Sequence, residues 1–301
     1  MKGNVQPSVV TIGTFDGVHR GHRALISRVL ELSAKQRCRS IVVTLERPVR
    51  PVHGLLTTLE EKLALLGSFP FDDIIVLPYH TDVTDQPAEV FLDKFICGTL
   101  NARILVVGEN FAFGKGRQGS VSWLREQAPS RDLSLELVPP VFFRNKIISS
   151  TWIRELLHKG SILEAHRLLG ALFSIEGEQV GGRRIGRTLG FPTINIAVDP
   201  QKLLPLGVYT ALVPAAAGKK TVLREAMVNI GTRPTFTSAH ALHVEIHLLG
   251  FQGRWKQKYT RAYLCTRLRN EMKFSSPAAL LLQLKKDKTA TEQYFSGGHR
   301  G

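Results

Sequence analysis

Cysteines and long apolar runs are scarce in this sequence. Its 301 residues include only Cys38, Cys97 and Cys265, and none of them forms the closely spaced pair typical of a zinc site. Few, widely spaced cysteines fit reduced thiols in a cytoplasm. No apolar run approaches the roughly 20 residues that a membrane-spanning helix needs, and the N-terminal segment lacks the apolar stretch of a signal peptide. We therefore expect a cytoplasmic protein with no membrane partner.

Acidic residues are also few, which excludes a strongly anionic protein. There are 25 Asp and Glu against 40 Lys and Arg, a formal net charge of +15. Residues 1–170 hold 21 basic and 17 acidic residues, whereas residues 171–301 hold 19 and 8. A basic surface favours encounters with anions, from small phosphates to nucleic acids. The basic residues are scattered and form no recognisable nucleic-acid motif, so nucleic acid is not expected, although a basic nucleic-acid-binding protein stays an alternative.

The first half of the chain alternates strand-like and helical patterns. This alternation predicts an α/β domain with a parallel sheet covered by helices on both faces. Ligands of such sheets bind beyond the carboxyl ends of the strands. The predicted strands are 9–12, 40–45, 74–77, 104–107 and 135–137, and the predicted helices are 23–35, 59–66 and 88–97.

The second half consists of short apolar runs separated by Gly and Pro turns, which predicts a mainly antiparallel β-barrel. The predicted strands are 173–178, 193–197, 208–212, 225–230, 243–249 and 260–268, followed by a terminal helix over 277–294. One helix over 151–169, capped by hydroxyl residues and ended by Gly170, closes the first half. We therefore predict two domains, 1–170 and 171–301.

The segment TIGTFDGVHRGH at residues 11–22 combines a buried strand, a Gly-rich turn and a helix start. Glycines let the backbone approach an anion, and a helix N-terminus favours negative charge. The segment resembles the GxHxGH signature of the nucleotidyltransferase superfamily, where it binds ATP phosphates. The residues predicted to bind ATP here are Gly13, Phe15, Gly17 and Gly21, with His19 and His22 as catalytic residues.

A second phosphate-binding pattern is ISSTWIR at residues 148–154. Its hydroxyls stand at a helix start, and an arginine follows about one turn later, so Ser150, Thr151 and Arg154 are predicted to bind phosphate with the first motif. With GENFAFGKGR at 108–117, the first half resembles the adenylyltransferase module of bacterial bifunctional riboflavin kinase/FAD synthetases. The resemblance implies a Rossmann-like nucleotidyltransferase domain that converts FMN and ATP to FAD and pyrophosphate, with Asn110 and Phe111 binding flavin.

The second half resembles the riboflavin kinase module of the same family, so the resemblance covers residues 8–295. The matching segments are GRTLGFPTIN (186–195), VNIGTRPTF (228–236), HVEIH (243–247) and RLRNEMKF (267–274). Thr193 and Asn195 alternate along a predicted strand and carry hard oxygen ligands suited to Mg²⁺. The resemblance implies that they hold Mg-ATP with Gly190, and that Glu245 accepts the proton of the riboflavin 5′-hydroxyl.

Three observations leave alternatives open. His243, Glu245 and His247 share one face of a predicted strand, and HxExH could bind zinc. The family usually reads FxPHP after the second strand, where this chain has Leu45-Glu-Arg-Pro-Val-Arg50, and Trp152 replaces a frequent arginine. These departures make a protein with only one of the two activities the main alternative. The sequence leaves a homo-oligomer open.

Overall fold

The computed structural model describes residues 6–48, 52–78, 85–182, 185–217, 220–233, 241–253 and 255–298. The chain divides into two compact units, Met1–Ser150 and Thr151–Gly301. Within the described ranges, no helix is long and apolar enough to cross a membrane.

A parallel sheet forms the centre of the first unit. The strands of this unit are β1 (Ser8–Gly13), β2 (Arg39–Leu45), β3 (Asp73–Leu77), β4 (Ala102–Gly108), β5 (Ala112–Phe113), β6 (Gly119–Ser120), β7 (Ser134–Val138), β8 (Phe142–Phe143) and β9 (Lys146–Ile147). The sheet has the order β3-β2-β1-β4-β7, and every neighbouring pair is parallel. The loops that follow β1, β2 and β4 therefore lie along one edge of the sheet.

Helices cover both faces of this sheet. They are α1 (Arg20–Gln36), α2 (Leu59–Leu66), α3, which begins as Ala88–Val90 and continues as the π-helix Phe91–Thr99, and α4 (Val121–Gln127). Alternate strand residues point to opposite faces. Val10 and Leu105 are fully buried in the cluster that contains Leu92 of α3, whereas Val9 packs with Val29 of α1. The α/β fold predicted for the first half is confirmed.

A closed barrel forms the second unit. Its strands are β10 (Ser174–Val180), β11 (Ile194–Val198), β12 (Gly207–Ala217), β13 (Lys220–Arg233), β14 (Ala241–Leu248) and β15 (Tyr259–Arg269). They close in the order β10-β11-β14-β13-β12-β15, and every pair is antiparallel. Tyr209, Ile230 and Leu264 are fully buried. The predicted antiparallel barrel is confirmed.

Helices complete the second unit, and one prediction about them is wrong. The helices are α5 (Ser150–His158), α6 (Ile162–Leu169), α7 (Ile185–Thr188) and α8 (Pro277–Ser296). The single helix predicted over 151–169 is two helices, because Gly160 adopts a φ of 74° and ends the first. A Cβ at Gly160 would lie 2.2 Å from Arg267 Nη1, so the glycine also leaves room for the Arg267 side chain of β15.

The C-terminal helix α8, which the sequence predicts over 277–294, packs on the barrel. Ser276 caps it by accepting a hydrogen bond from the N–H of Ala279. Phe295, near its end, is buried with Leu212 and Cys265 of the barrel. The division between the two compact units follows Ser150 along the chain, whereas the sequence places the domain boundary after Gly170, and that boundary stays a prediction.

Candidate active sites

Residues 14–19, here called the β1–α1 turn, lead from the central strand into α1. Phe15, Gly17 and Val18 have φ values of 48°, 81° and 39°. Positive φ strains residues other than glycine, and the burial of the Phe15 and Val18 side chains offsets this strain. His19 caps α1, because its Nδ1 accepts the backbone N–H of His22 at 3.4 Å. The turn therefore fixes the N-terminal end of α1.

The two predicted catalytic histidines lie together at this helix end. The rings of His19 and His22 stack with centroids 3.7 Å apart, and Phe15 packs edge-on against His22 at 5.2 Å. Gly21 permits this arrangement, since a Cβ there would lie 3.1 Å from the His19 ring. Burial, and to a smaller extent His19 and Lys62, lowers the pKa of His22 well below its ordinary value of 6.5. His22 is therefore neutral at pH 7.

His22 also carries an orphaned polar atom. Its Nδ1 is fully enclosed and has no hydrogen-bond partner in the described part of the chain. Buried polar groups are nearly always satisfied, so the unpartnered nitrogen sets His22 apart, while its half-buried ring stays open to contact at the helix N-terminus. A neutral ring there can donate one hydrogen bond to a phosphate oxygen.

Hydrogen bonds from two other segments hold the β1–α1 turn. The buried Asp16 carboxylate accepts the backbone N–H groups of Leu56 at 3.2 Å and Thr57 at 3.0 Å. Gly17 N–H donates to Thr57 Oγ1 at 3.0 Å. Ser150 Oγ donates to the Asp16 carbonyl at 2.9 Å. The structure thus brings Ser150 of the second motif to the turn of the first.

Thr151 and Arg154 follow Ser150 on α5. Thr151 is exposed, whereas Arg154 is only 9% exposed. Residues four positions apart share one side of a helix, so Arg154 lies on the same side of α5 as Ser150. The helix start therefore carries hydroxyl groups with a guanidinium one turn later, as the sequence spacing predicts.

The residues predicted to bind flavin follow β4. Because β4 is parallel to β1 and adjacent to it, this loop begins at the same sheet edge as the β1–α1 turn. Asn110 is exposed, and Phe111 is half-buried and stacks on Phe113 with centroids 5.6 Å apart. Phe113 in turn packs edge-on against Trp123 at 6.0 Å. These rings form an aromatic cluster that can support a planar ligand.

A cavity of about 320 Å³ lies in the second unit, between the barrel and α8. Its polar lining includes Thr193, Asn195, Asn229 and Glu245, and its apolar lining includes Met272, Phe274 and Leu280. A cavity with an apolar wall and a few convergent polar groups is typical of a small-molecule site.

Three of the polar residues come from adjacent strands. In the barrel, Asn195 of β11 pairs with Glu245 of β14, which pairs on its other side with Asn229 of β13. Directly paired residues of antiparallel strands point to the same face. The amide oxygens and the carboxylate therefore converge in the cavity.

Thr193 lies differently from its prediction. Strand β11 begins at Ile194, so Thr193 precedes the strand rather than belonging to it, although it lines the cavity with Asn195. The preceding turn brings Phe191 N–H to the carbonyl of Gly186 at 2.7 Å, with Gly190 at a φ of 80°. This tight turn leads from α7 to Thr193.

Sequence reasoning assigned no role to Asn229, Arg269, Glu271 or Asp287, all of which line the cavity. Glu271 accepts the Thr232 N–H at 3.2 Å. Asp287 of α8 is 4% exposed at its side chain and pairs with Arg269 of β15 at 2.8 Å. Asn229 lies in the segment 228–236, and Arg269 and Glu271 lie in 267–274. The resemblance of these segments to the kinase module is the sequence signal that could have indicated them. Residues 234–236 lie outside the described ranges.

The histidines of HxExH have other contacts. His247 Nδ1 bonds to the Pro192 carbonyl at 2.9 Å, and its ring packs against Phe191. Burial lowers the pKa of His247, although the Pro192 carbonyl opposes this. Across the described residues, no cluster of three His, Cys, Asp or Glu side chains could hold a metal ion.

Comparisons with known proteins match each half of the chain to a separate family model. Residues 1–152 match the family model for FAD synthetase, and residues 169–295 match the one for riboflavin kinase. A bifunctional riboflavin kinase/FMN adenylyltransferase of Buchnera aphidicola subsp. Schizaphis graminum is 33% identical, over 96% of this chain and 94% of its own. The chain belongs to the bifunctional riboflavin kinase/FMN adenylyltransferase family. It is a transferase with an N-terminal FAD synthetase domain and a C-terminal riboflavin kinase domain.

Further relatives extend this family assignment. The Escherichia coli K12 protein of the same description is 31% identical over 95% of this chain and 92% of its own. A crystal structure described as a macrolide-efflux protein from Streptococcus pneumoniae has a TM-score of 0.84 and 27% identity. The match covers 96% of this chain and 95% of that one.

The two departures from the family pattern lie at the start of a loop and on α5. Leu45 is the last residue of β2, and it is partly buried against the main core of the first unit. Of the segment 45–50, residues 49 and 50 lie outside the described ranges. Trp152 is half-buried in the first turn of α5.

Proposed function

We propose that the cavity of the second unit is where riboflavin is phosphorylated by ATP, giving FMN and ADP. The observation that carries this proposal is the convergence of Asn195, Glu245 and Asn229 from adjacent strands. In the proposed reaction, the 5′-hydroxyl oxygen of riboflavin attacks the γ-phosphorus, and ADP leaves. Glu245 accepts the hydroxyl proton, which a carboxylate with nearby amide groups is suited to do.

Thr193 and Asn195 are the proposed ligands of Mg-ATP. A hydroxyl and an amide oxygen that line one cavity are hard donors, which fits Mg²⁺. The bound ion would neutralise charge on the transferred phosphates. Gly190, in the turn before Thr193, is proposed to let the backbone approach ATP.

The apolar wall of the cavity is proposed to hold the flavin ring. Met272, Phe274 and Leu280 line the cavity with the polar groups. Burial of a planar ring against such a wall contributes roughly 25 cal/mol for each Å² of apolar area. The wall would leave the ribityl chain to reach Glu245.

We propose that the first unit joins FMN and ATP at the β1–α1 turn. An oxygen of the FMN phosphate attacks the α-phosphorus of ATP, and pyrophosphate leaves, so no protein nucleophile is needed. His19 and His22 donate hydrogen bonds to phosphate oxygens, and neutral His22 acts there as a hydrogen-bond donor without a full positive charge. Catalysis is then alignment and charge stabilisation.

Other residues complete the proposed adenylylation site. Phosphates are proposed to approach the N-terminus of α1 along the turn and its neighbours, at Gly13, Phe15, Gly17 and Gly21. Ser150, Thr151 and Arg154 are proposed to bind phosphates from the start of α5. Asn110 and Phe111 are proposed to contact the flavin of FMN.

The remaining predictions concern organisation and location. We propose two domains, 1–170 and 171–301, which are supported by a separate set of motifs in each half. A cytoplasmic location and the absence of nucleic-acid partners also stay predictions, and a homo-oligomer stays open.

One incubation tests both reactions. Purified protein is incubated with riboflavin, ATP and Mg²⁺, and riboflavin, FMN and FAD are separated by chromatography. We expect FMN to appear first and FAD to follow. FMN without FAD, even from added FMN, would support the single-activity alternative and contradict the proposed adenylylation site.

A further inference from the structure

A buried lysine lies beneath the β1–α1 turn. Lys62 projects from the first turn of α2 and is only 3% exposed. Its Nζ donates to the carbonyl of Thr14 at 3.1 Å and to that of Leu45. Thr14 opens the β1–α1 turn, and Leu45 ends β2. One ammonium therefore joins the carboxyl ends of two neighbouring strands at the sheet edge where ligands bind.

The helix that carries Lys62 is itself well fixed. Thr58 and Glu61 form a capping box: Thr58 N–H donates to the Glu61 carboxylate at 2.9 Å, and Glu61 N–H donates to Thr58 Oγ1 at 3.2 Å. Immediately before the helix, Thr57 bonds to Asp16 and Gly17 of the turn. Residues 57–62 therefore hold the β1–α1 turn at Thr14, Asp16 and Gly17.

Burying an ammonium costs free energy unless the charge is paired and hydrogen-bonded. The titratable groups that face Lys62 are Asp16 of the turn, Glu46 just beyond β2, and the neutral His22 of α1. Burial lowers the pKa of Lys62 to about 8, although Asp16 and Glu46 oppose this. The positive charge of Lys62 in turn helps to lower the pKa of His22, so Lys62 acts electrostatically on the proposed phosphate site.

We propose that Lys62 is a positioning residue for adenylyl transfer: its buried ammonium fixes the carbonyls of Thr14 and Leu45 and so aligns the β1–α1 turn with the phosphates of ATP. This inference rests on the adenylylation proposed above. Charge-assisted hydrogen bonds are about twice as strong as neutral ones. Loss of the ammonium proton should therefore loosen the turn, even though a neutral amine can still donate.

The test measures kcat/KM for ATP in FAD formation from FMN between pH 7 and 10. For the wild type we expect activity to fall on the alkaline side with an apparent pKa near 8, because kcat/KM reports ionisations of the free enzyme. Lys62→Met should lower the pH 7 value by about 10- to 100-fold, since a misplacement of about 1 Å can cost about 100-fold. Lys62→Met should also lack the alkaline decline.

Three further measurements separate positioning from a structural role. Lys62→Arg keeps the charge at every pH used and should remove the alkaline decline. Thr44→Val removes the other donor to the Thr14 carbonyl, at 3.2 Å, and should keep the decline. Lys202→Met, at a lysine 4% exposed in the second unit, should leave FAD formation unchanged. Riboflavin phosphorylation by the Lys62 variants, measured in the same samples, should match the wild type.

Two results would overturn the inference. One is a Lys62→Met enzyme within threefold of the wild type at pH 7. The other is an alkaline decline that persists in Lys62→Arg, and this result decides alone if Lys62→Met fails to fold. A wild type that makes FMN but no FAD at any pH would instead overturn the proposed adenylylation, and the inference with it.

Discussion

Glu245→Gln should nearly abolish riboflavin phosphorylation and spare FAD formation. Glutamine has the shape of glutamate, so the pairing of residue 245 with Asn195 and Asn229 should persist and the cavity should keep its volume. The loss is then confined to the proton acceptor. General-base catalysis contributes about 10²- to 10⁴-fold, which corresponds to about 2.7 to 5.4 kcal/mol of barrier at about 1.36 kcal/mol for each tenfold change.

The assay is FMN formation from riboflavin and Mg-ATP under saturating conditions, followed by chromatography. FAD formation from added FMN serves as an internal control for folding. Glu178→Gln is the matched control, since Glu178 lies on barrel strand β10 and is exposed in an ion pair with Lys258. An exposed ion pair contributes little to stability, so this variant should keep its kinase activity. A Glu245→Gln enzyme that makes FMN within threefold of the wild-type rate would refute the base assignment.

Three other outcomes are expected. His19→Ala and His22→Ala should each lower FAD formation and spare riboflavin phosphorylation; equal loss of both activities with an unfolded circular-dichroism spectrum would instead indicate a structural role. The fragment 171–301, or a version that begins at Ser150, should fold and phosphorylate riboflavin alone, and two folded but inactive fragments would contradict the domain assignment. Asp287→Ala removes the buried carboxylate that pairs with the half-buried Arg269 and should destabilise the second unit by about 1 to 3 kcal/mol, measured by thermal unfolding; an unchanged Tm would contradict this.

The sequence predicts the α/β sheet and the barrel because both depend on local patterns. Apolar runs fix the strands, and α2 occupies the predicted 59–66 because a capping box marks its start. The GxHxGH segment is predictable for the same reason, since strand, glycine turn and helix start follow each other directly. The prediction that Ser150 binds phosphate depends on the spacing within the second motif. The hydrogen bond from Ser150 to the Asp16 carbonyl joins residues far apart in sequence, so only the fold shows it.

What the sequence does not predict depends on contacts between distant segments. The break at Gly160 accompanies a close approach to Arg267, more than 100 residues away. Lys62 looks like one polar residue on an amphipathic helix, and only the fold places it under two strand ends. Asp287 likewise lies within a long polar helix, and its pairing with Arg269 requires α8 to pack on β15. Periodicity carries no information about such pairings.

The closure of the barrel affects where strands of different molecules can pair. Where β10 pairs with β15, the described barrel strands satisfy each other in a ring, so they expose no open row of backbone donors and acceptors for another chain to join. The parallel sheet of the first unit does end in two outer strands, β3 and β7. Both are five residues long, and Asp73 at the start of β3 is held in an ion pair with Arg39. Of these two larger sheets, the parallel one has the free edges, so we expect strand-to-strand association between molecules to begin at β3 or β7 rather than in the barrel when the protein is heated.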